Sequence, residues 1–180
     1  MLNLIKIDPK NYFQMNLLYQ FRCAIGNWKR GYLTECLLRG IKPLTQGALS
    51  DFQYFKEIYV QERPGNLPST EYILCDKGTP VTLINTIYAS GRVDLTVTTL
   101  PKYRRKGYAT AAIQMVENDI FSDLNNMFTT ITDITKDKIS SKIAIKLGYV
   151  YYEKTDTYIK GNPRIDFEQE LNKPKQKRKK

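Results

Sequence analysis

The apolar positions change their spacing several times along the chain, and each change marks an element. Residues 2 to 7, LNLIKI, mostly alternate apolar and polar and predict a short first strand. Asp8 and Pro9 then read as a helix start, Asp as the N-cap and Pro at the first helical position. Phe13, Leu17, Phe21 and Ala24 recur at helical spacing over 11 to 24, before Gly26. A second helix is predicted over 32 to 40, closed by Gly40, and a third from Ser50 through Phe52, Phe55, Ile58 and Tyr59, ending before Pro64-Gly65. The period then falls from 3.6 to 2. Tyr72–Cys75 and Val81–Ile84 flank Asp76-Lys77-Gly78-Thr79-Pro80, a hairpin connection, and Val93 to Thr98 follows Ser90-Gly91 as a third strand of this group. A helix from Tyr108 to about Phe121, a β-branched strand from Phe128 to Ile134, a helix from Lys138 to Leu147 stopped by Gly148, and strands over 149–153 and 157–160 complete the pattern. The fold class this predicts is α/β in the α+β sense. Its sheet is mixed and mostly antiparallel, of about six to seven strands, and flanked by helices.

Composition narrows the chemistry. A chain of 180 residues, 42% hydrophobic, fits one domain, predicted over 1–165. There is no His, and Cys23, Cys36 and Cys75 are odd in number with no C-x-x-C. That argues against a disulfide framework and a Cys/His zinc site, so no metal is expected, and it excludes Ser-His-Asp and Cys-His catalysis. No apolar run approaches the ~20 residues that cross a bilayer, and the first residues lack the layout of a signal peptide. With three unpaired cysteines, a reducing cytoplasm is the expected compartment, and no membrane partner is expected. The net charge is +10, but Lys173 to Lys180 carries six positive charges and no negative one, which leaves +4 for the rest. Residues 166–180 therefore read as a basic tail unable to bury a core and predicted to be disordered.

The segment Arg104-Arg105-Lys106-Gly107-Tyr108-Ala109-Thr110 stands between a strand ended by Pro101 and the opening of a helix. A helix N-terminus offers about four backbone N–H groups without intrahelical partners, and the aligned dipoles add roughly half a positive charge. Gly107 and Ala109 let a bulky anion approach the backbone, and three cationic side chains precede them. Such a turn suits a phosphate or pyrophosphate. It is not a Walker loop, because G-x-x-x-x-G-K-[ST] is absent, nor the dinucleotide fingerprint, because two of its three glycines are missing.

The surroundings of this turn resemble the GNAT family of N-acetyltransferases. Arg104-x-x-Gly107-x-Ala109 matches the family's R/Q-x-x-G-x-G/A, and Pro101-Lys102-Tyr103 stands where Pro-x-Tyr often precedes it. About 30 residues on, Asp137-Lys138-Ile139-Ser140 and Lys146-Leu147-Gly148-Tyr149 resemble a second family motif, N-x-x-S/A with a helix ending K-L-G-F/Y. The resemblance covers 71 to 160 in motif and 1 to 70 only in topology.

This resemblance implies acetyl-CoA as co-substrate, bound by the turn from Arg104 and Arg105 through Lys106, Gly107, Tyr108 and Ala109 to Thr110. It implies that Val97, Thr98 and Thr99 pair with the pantetheine arm and help polarise the acetyl carbonyl, and that Asp137 and Ser140 also face the cofactor. Asp137 replaces the family's frequent Asn and is equally a helix cap. Ala144 stands where many relatives carry the Tyr that protonates the departing thiolate. Either another tyrosine takes that part (Tyr149 is the one expected, with Tyr151, Tyr152 and Tyr158 near in sequence), or solvent does, or the protein binds CoA without catalysis. Asp94 is the best-placed carboxylate to take the amine proton, ahead of Glu71 and Glu35, and its alternative is a strand-edge charge beside Arg92.

The function implied is transfer of acetyl to a primary amine by direct attack in a ternary complex, by a monomer or homodimer. The alternatives are a non-catalytic CoA-binding module and an RNA- or ribosome-associated protein that contacts nucleic acid through Lys173–Lys180. Residues 9 to 62 are rich in aromatics, most of which the helical spacing assigns to the core.

Overall fold

The structure is a computed structural model of the chain, and it describes residues 1–25, 52, 55, 56, 68–132 and 138–165. Seven strands form one sheet in the order β1-β2-β3-β4-β5-β7-β6. They are β1 (Leu2–Lys6), β2 (Ser69–Asp76), β3 (Thr79–Ala89), β4 (Arg92–Thr99), β5 (Phe128–Thr132), β6 (Val150–Tyr152) and β7 (Thr157–Gly161). Every neighbouring pair is antiparallel except β4–β5, which is parallel. The helices are α1 (Tyr12–Ile25), α2 (Tyr108–Ile120) and α3 (Lys138–Lys146). A mixed, mostly antiparallel sheet of seven strands flanked by helices is the predicted fold class.

Two apolar layers hold the sheet. On one face Tyr72, Leu74, Ile84, Val93, Leu95 and Ile131 pack with Ala112, Ile113, Val116 and Ile120 of α2 and with Ala144 and Leu147 at α3. On the other, Ile73, Cys75 and Leu83 pack with Met15, Leu17, Leu18 and Phe21 of α1 and with Phe55. Alternation along the strands produces this division, since successive side chains leave opposite faces.

Several boundaries differ from the sequence pattern. The helix predicted to start at Asp8 begins at Tyr12. Asn11 caps it, its Oδ1 accepting from the Gln14 N–H at 3.1 Å, while Asp8 closes a turn by accepting from the Lys10 N–H at 2.9 Å. Phe13, expected in the core, is 66% exposed, and Met15 and Leu18 supply the buried face in its place. The five-residue connection after Cys75 is a two-residue turn, Lys77 (φ 48°) and Gly78 (φ 79°), and Ser90 (φ 46°) and Gly91 (φ 83°) make another. Positive φ at both central positions is the turn that matches the twist of paired strands, so the ladders run further than alternation showed, and β3 reaches Ala89. The helix predicted over 32–40 lies outside the described residues. So does most of that from Ser50 to Tyr59, of which Phe52, Phe55 and Lys56 are helical.

Candidate active site at the open end of the β4–β5 pair

The parallel pairing of β4 with β5 runs only from Arg92↔Phe128 to Leu95↔Ile131. From Thr96 to Thr99, β4 stays registered with β3, ending at Thr99↔Thr82, but has no partner on the β5 side among the described residues. One edge of its backbone is therefore left for another hydrogen-bonding chain. Val97, Thr98 and Thr99, the residues expected to meet the pantetheine arm, lie on this edge and are half-buried. Thr99 is anchored by its hydroxyl, 3.0 Å from the Thr82 hydroxyl.

Beyond Leu100 the chain makes one 3-10 turn, Pro101–Tyr103, and then the basic segment. Arg105 adopts φ 61° and Gly107 φ 81°, two left-handed residues that fold the backbone into a cradle before α2 opens. The first α2 bond is donated by the Ala111 N–H to the Gly107 carbonyl at 3.0 Å. None of the six N–H groups from Arg105 to Thr110 donates to a carbonyl or side chain among the described residues. No Cβ placed on Gly107 would meet an atom within 4 Å, so the space before it is open. Arg104, Arg105 and Lys106 are exposed, and no acidic side chain forms an ion pair with them among the described residues. A run of unpartnered donors, a helix N-terminus and three unpaired cations fit a pyrophosphate.

The cradle is braced from two sides. Arg104 Nε donates to the Thr99 carbonyl at 3.2 Å, and the Tyr108 hydroxyl donates to Asp76 Oδ2 at 2.6 Å, joining the start of α2 to the β2–β3 turn. Hydrogen bonding to that carboxylate, its largest cause, raises the Tyr108 pKa, so the phenol stays a donor. Tyr103 stands edge-on to Tyr108 with centroids 6.1 Å apart. The Asp76 contact carried no signal in the sequence, because Asp76 reads there only as a turn residue.

The expected proton-handling groups fare differently. Tyr149 is 4% exposed, and its hydroxyl lies 3.0 Å from Thr129 Oγ1. Thr129 pairs with Val93 and Lys160, inside the closed part of the sheet, so the structure does not bring Tyr149 to the open edge. Burial, its largest cause, with nearby Glu117 adding to it, holds the phenol well above its ordinary pKa. The expectation that Tyr149 is the acid is corrected on this ground. Ala144 is fully buried in the core and offers no proton donor. Asp94 lies on the sheet face opposite α2. It accepts from the Thr130 hydroxyl and is gripped by Arg92, Nε at 3.0 Å from Oδ1 and Nη2 at 3.1 Å from Oδ2. Both its oxygens are engaged, which is the strand-edge charge pair set out as the alternative. Ser140 is half-buried in the first turn of α3, and Asp137 lies outside the described residues.

One buried polar group is clearer in the structure than in the sequence. Glu71, 7% exposed on β2, is ion-paired with Arg22 at the end of α1, and Arg22 Nη2 is also 3.5 Å from Asn85 Oδ1. The second carboxylate oxygen, Oε2, is buried with no hydrogen-bond partner among the described residues.

No protein-family model matches the sequence, and no curated protein matches it in sequence. Solved structures do match in fold. A ribosomal-protein-S5-alanine acetyltransferase from Vibrio fischeri superposes with a TM-score of 0.62 at 12% identity, over 92% of this chain and 95% of that one. A spermidine N-acetyltransferase from Vibrio cholerae, solved with CoA and spermine, gives 0.59 at 13% identity over 89% and 95%. The ribosomal-protein-S18-alanine N-acetyltransferase from Escherichia coli gives 0.52 at 12% identity over 88% and 91%. The fold is that of the GNAT acetyltransferases.

Proposed function

We propose, from a fold shared with the GNAT acetyltransferases, that this protein transfers the acetyl group of acetyl-CoA to a primary amine by direct attack in a ternary complex. The observation that carries the reading is the pairing of two features. Among the described residues, six backbone N–H groups from Arg105 to Thr110 have no partner, and they stand beside a strand edge, Thr96–Thr99, that has no partner on the β5 side. The first suits a pyrophosphate and the second an extended pantetheine arm. The neighbour solved with CoA supports the same cofactor.

In this reading the cradle binds the pyrophosphate, and the backbone of the Val97–Thr99 stretch orients the thioester through those of its amides that face the open edge. A backbone N–H aimed at the carbonyl oxygen stabilises the tetrahedral oxyanion, worth about 3 kcal/mol per donor. The amine attacks the carbonyl carbon, the C–S bond breaks, and the thiolate leaves. With Asp94 engaged on both oxygens, water takes the amine proton. With Tyr149 buried, water also protonates the thiolate, a fair leaving group with a pKa of about 8.5. Ser140, in the first turn of α3, contacts the cofactor in this reading.

Isothermal titration with acetyl-CoA tests the reading. Micromolar binding that is lost in the Arg104→Glu/Gly107→Trp double variant is expected, and absence of binding at millimolar cofactor would overturn it. Thiol release with a panel of amines separates an enzyme from a CoA-binding module. Release above the uncatalysed rate for any amine excludes the module.

Six cations among the eight residues Lys173–Lys180 favour a second, compatible reading, contact with RNA through the phosphate backbone. Removal of 173–180 is expected to abolish RNA retention at low salt, and unchanged retention would reject a role for the tail.

A further inference from the structure

The two edges of the sheet are built differently. β1, at one end, carries Asn3 and Lys6, and Lys6 is ion-paired with Asp119 of α2 at 3.0 Å. β6, at the other, is Val150-Tyr151-Tyr152, with no charged residue and no proline. It pairs with β7 on one side without a bulge, and among the described residues nothing pairs with it on the other. Alternate residues of β6 therefore turn N–H and C=O groups outward, and no lysine, proline or bulge guards them. The side chains are as open as the backbone. Val150 is 73% exposed, Tyr151 47% and Tyr152 46%. Ile145, in the last turn of the helix that leads into β6, is 63% exposed. Tyr151 is nevertheless held in place. Its hydroxyl donates to Asp156 Oδ1 at 2.7 Å, and its ring centroid lies 5.2 Å from that of Tyr158, its β7 partner. An apolar edge that is already ordered loses little freedom on association.

We propose that β6 is the interface of a homodimer, in which it pairs antiparallel with β6 of a second copy about a two-fold axis at Tyr151. The strand then meets itself, so each outward donor faces an acceptor of the same strand. Val150 stands opposite the partner's Tyr152, and the two seven-stranded sheets continue as one. The exposed area fits a second copy. The four side chains offer roughly 400 Å² per copy, the scale of a functional patch, and two copies approach the ~1,000 Å² of a specific interface. Charge fits as well. The same register carries Glu153 toward the helix end that bears the partner's Lys146. Both residues are exposed, and neither has an ion-pair partner among the described residues. This chain thus supplies both halves of the charge pair, which an unrelated strand would not. A strand of three residues forms few bonds, so the dimer is a reversible one. The inference is independent of the acetyltransferase reading.

Sedimentation velocity on the full chain across a concentration series is the test. A monomer–dimer equilibrium is expected, with a dissociation constant of about 10 μM. Val150→Lys sets an ammonium on the edge and should weaken the dimer about tenfold or more, with the unfolding midpoint of the monomer in place. If that variant does not fold, Tyr152→Lys serves with the same expectation. Glu153→Lys is expected to weaken association about threefold, and the exchange of Glu153→Lys with Lys146→Glu to restore it, because the pair re-forms across the axis with its signs reversed. A chain that stays monomeric at every concentration overturns the inference. So does a dimer of unchanged strength in a folded edge variant, which would place the contact elsewhere. A charge exchange that leaves association no stronger than Glu153→Lys alone overturns it too. Each of these results leaves the acetyltransferase reading standing, since acetyl-CoA binding is measured separately.

Discussion

Arg104 Nε donates to the carbonyl of Thr99 at 3.2 Å, so the side chain that opens the basic turn also ties it to the free strand edge. The guanidinium has further donors for a phosphate oxygen, and one residue thereby sets the distance between the two parts of the candidate site. Arg104→Ala is expected to weaken acetyl-CoA binding by about tenfold in titration calorimetry. Arg104→Lys keeps the charge without the planar fork and should recover only part of that loss.

Gly107 and Gly78 form a matched pair of left-handed glycines. Their φ values are 81° and 79°, and at neither would an added methyl group have an atom within 4 Å. Alanine at either site should destabilise the fold by about 1 kcal/mol through backbone conformation alone, read by thermal or denaturant unfolding. Only Gly107→Ala should also weaken acetyl-CoA binding, because its methyl enters the cradle. Equal cofactor affinity in the two variants would remove the pyrophosphate from this turn.

Tyr149 has a consequence at high pH. Burial raises its pKa in the folded protein above the unfolded value of about 10. Above that pH the unfolded chain loses the proton while the folded one keeps it. Stability is therefore full below pH about 10 and falls as pH rises, by about 1.4 kcal/mol per pH unit for each such group. Tyr72, raised mainly by its own burial, acts in the same sense. Tyr149→Phe should flatten the alkaline slope of the unfolding free energy, cost about 1 kcal/mol at neutral pH through its hydrogen bond, and leave kcat nearly unchanged. A large fall in kcat with intact stability would restore Tyr149 as the acid.

Asp94 yields a contrasting expectation. With Arg92 and Thr130 on its oxygens, Asp94→Asn should lower stability by about 1–2 kcal/mol and change kcat by less than about threefold. The acceptor kcat/KM should rise about tenfold per pH unit until the acceptor amine itself is deprotonated, since only the free base attacks. A plateau beginning at acidic pH and abolished by Asp94→Asn would return the base role to this carboxylate.

The elements that positioned the cradle were legible because local chemistry decides them. Pro101 ends a ladder, Gly107 permits the left-handed turn, and the period of 3.6 in Ala112, Ile113, Val116 and Ile120 marks the helix behind it. Arg105 was not legible, since a left-handed arginine leaves no mark in the sequence beyond its neighbour glycine. Asp8 misled because Asp-Pro is a helix start only if the following turn does not intervene, and here Asn11 takes the cap. Glu71 was legible as a carboxylate in a strand, but its worth depends on register. Only the pairing with Asn85 and Thr96 shows that it shares a row with the open edge, and pairing over such separations is set by tertiary packing. Tyr149 and Asp94 were near the site in sequence, yet their partners Thr129 and Thr130, 20 and 36 residues away, decide what they can do.

The parallel β4–β5 pair also constrains how the molecule assembles. Antiparallel β2, β3 and β4 zip through two-residue turns, a rapid and local event. Arg92↔Phe128 forms only after the intervening chain, basic turn and α2 included, has crossed over and docked. The cradle thus lies inside the connection that closes last among these strands. Substitutions in the hairpins should alter mainly the early refolding phase, and those that strain the cradle the slow one. In a stopped-flow experiment the cofactor-binding turn would then report on the timing of sheet closure as well as on ligand affinity.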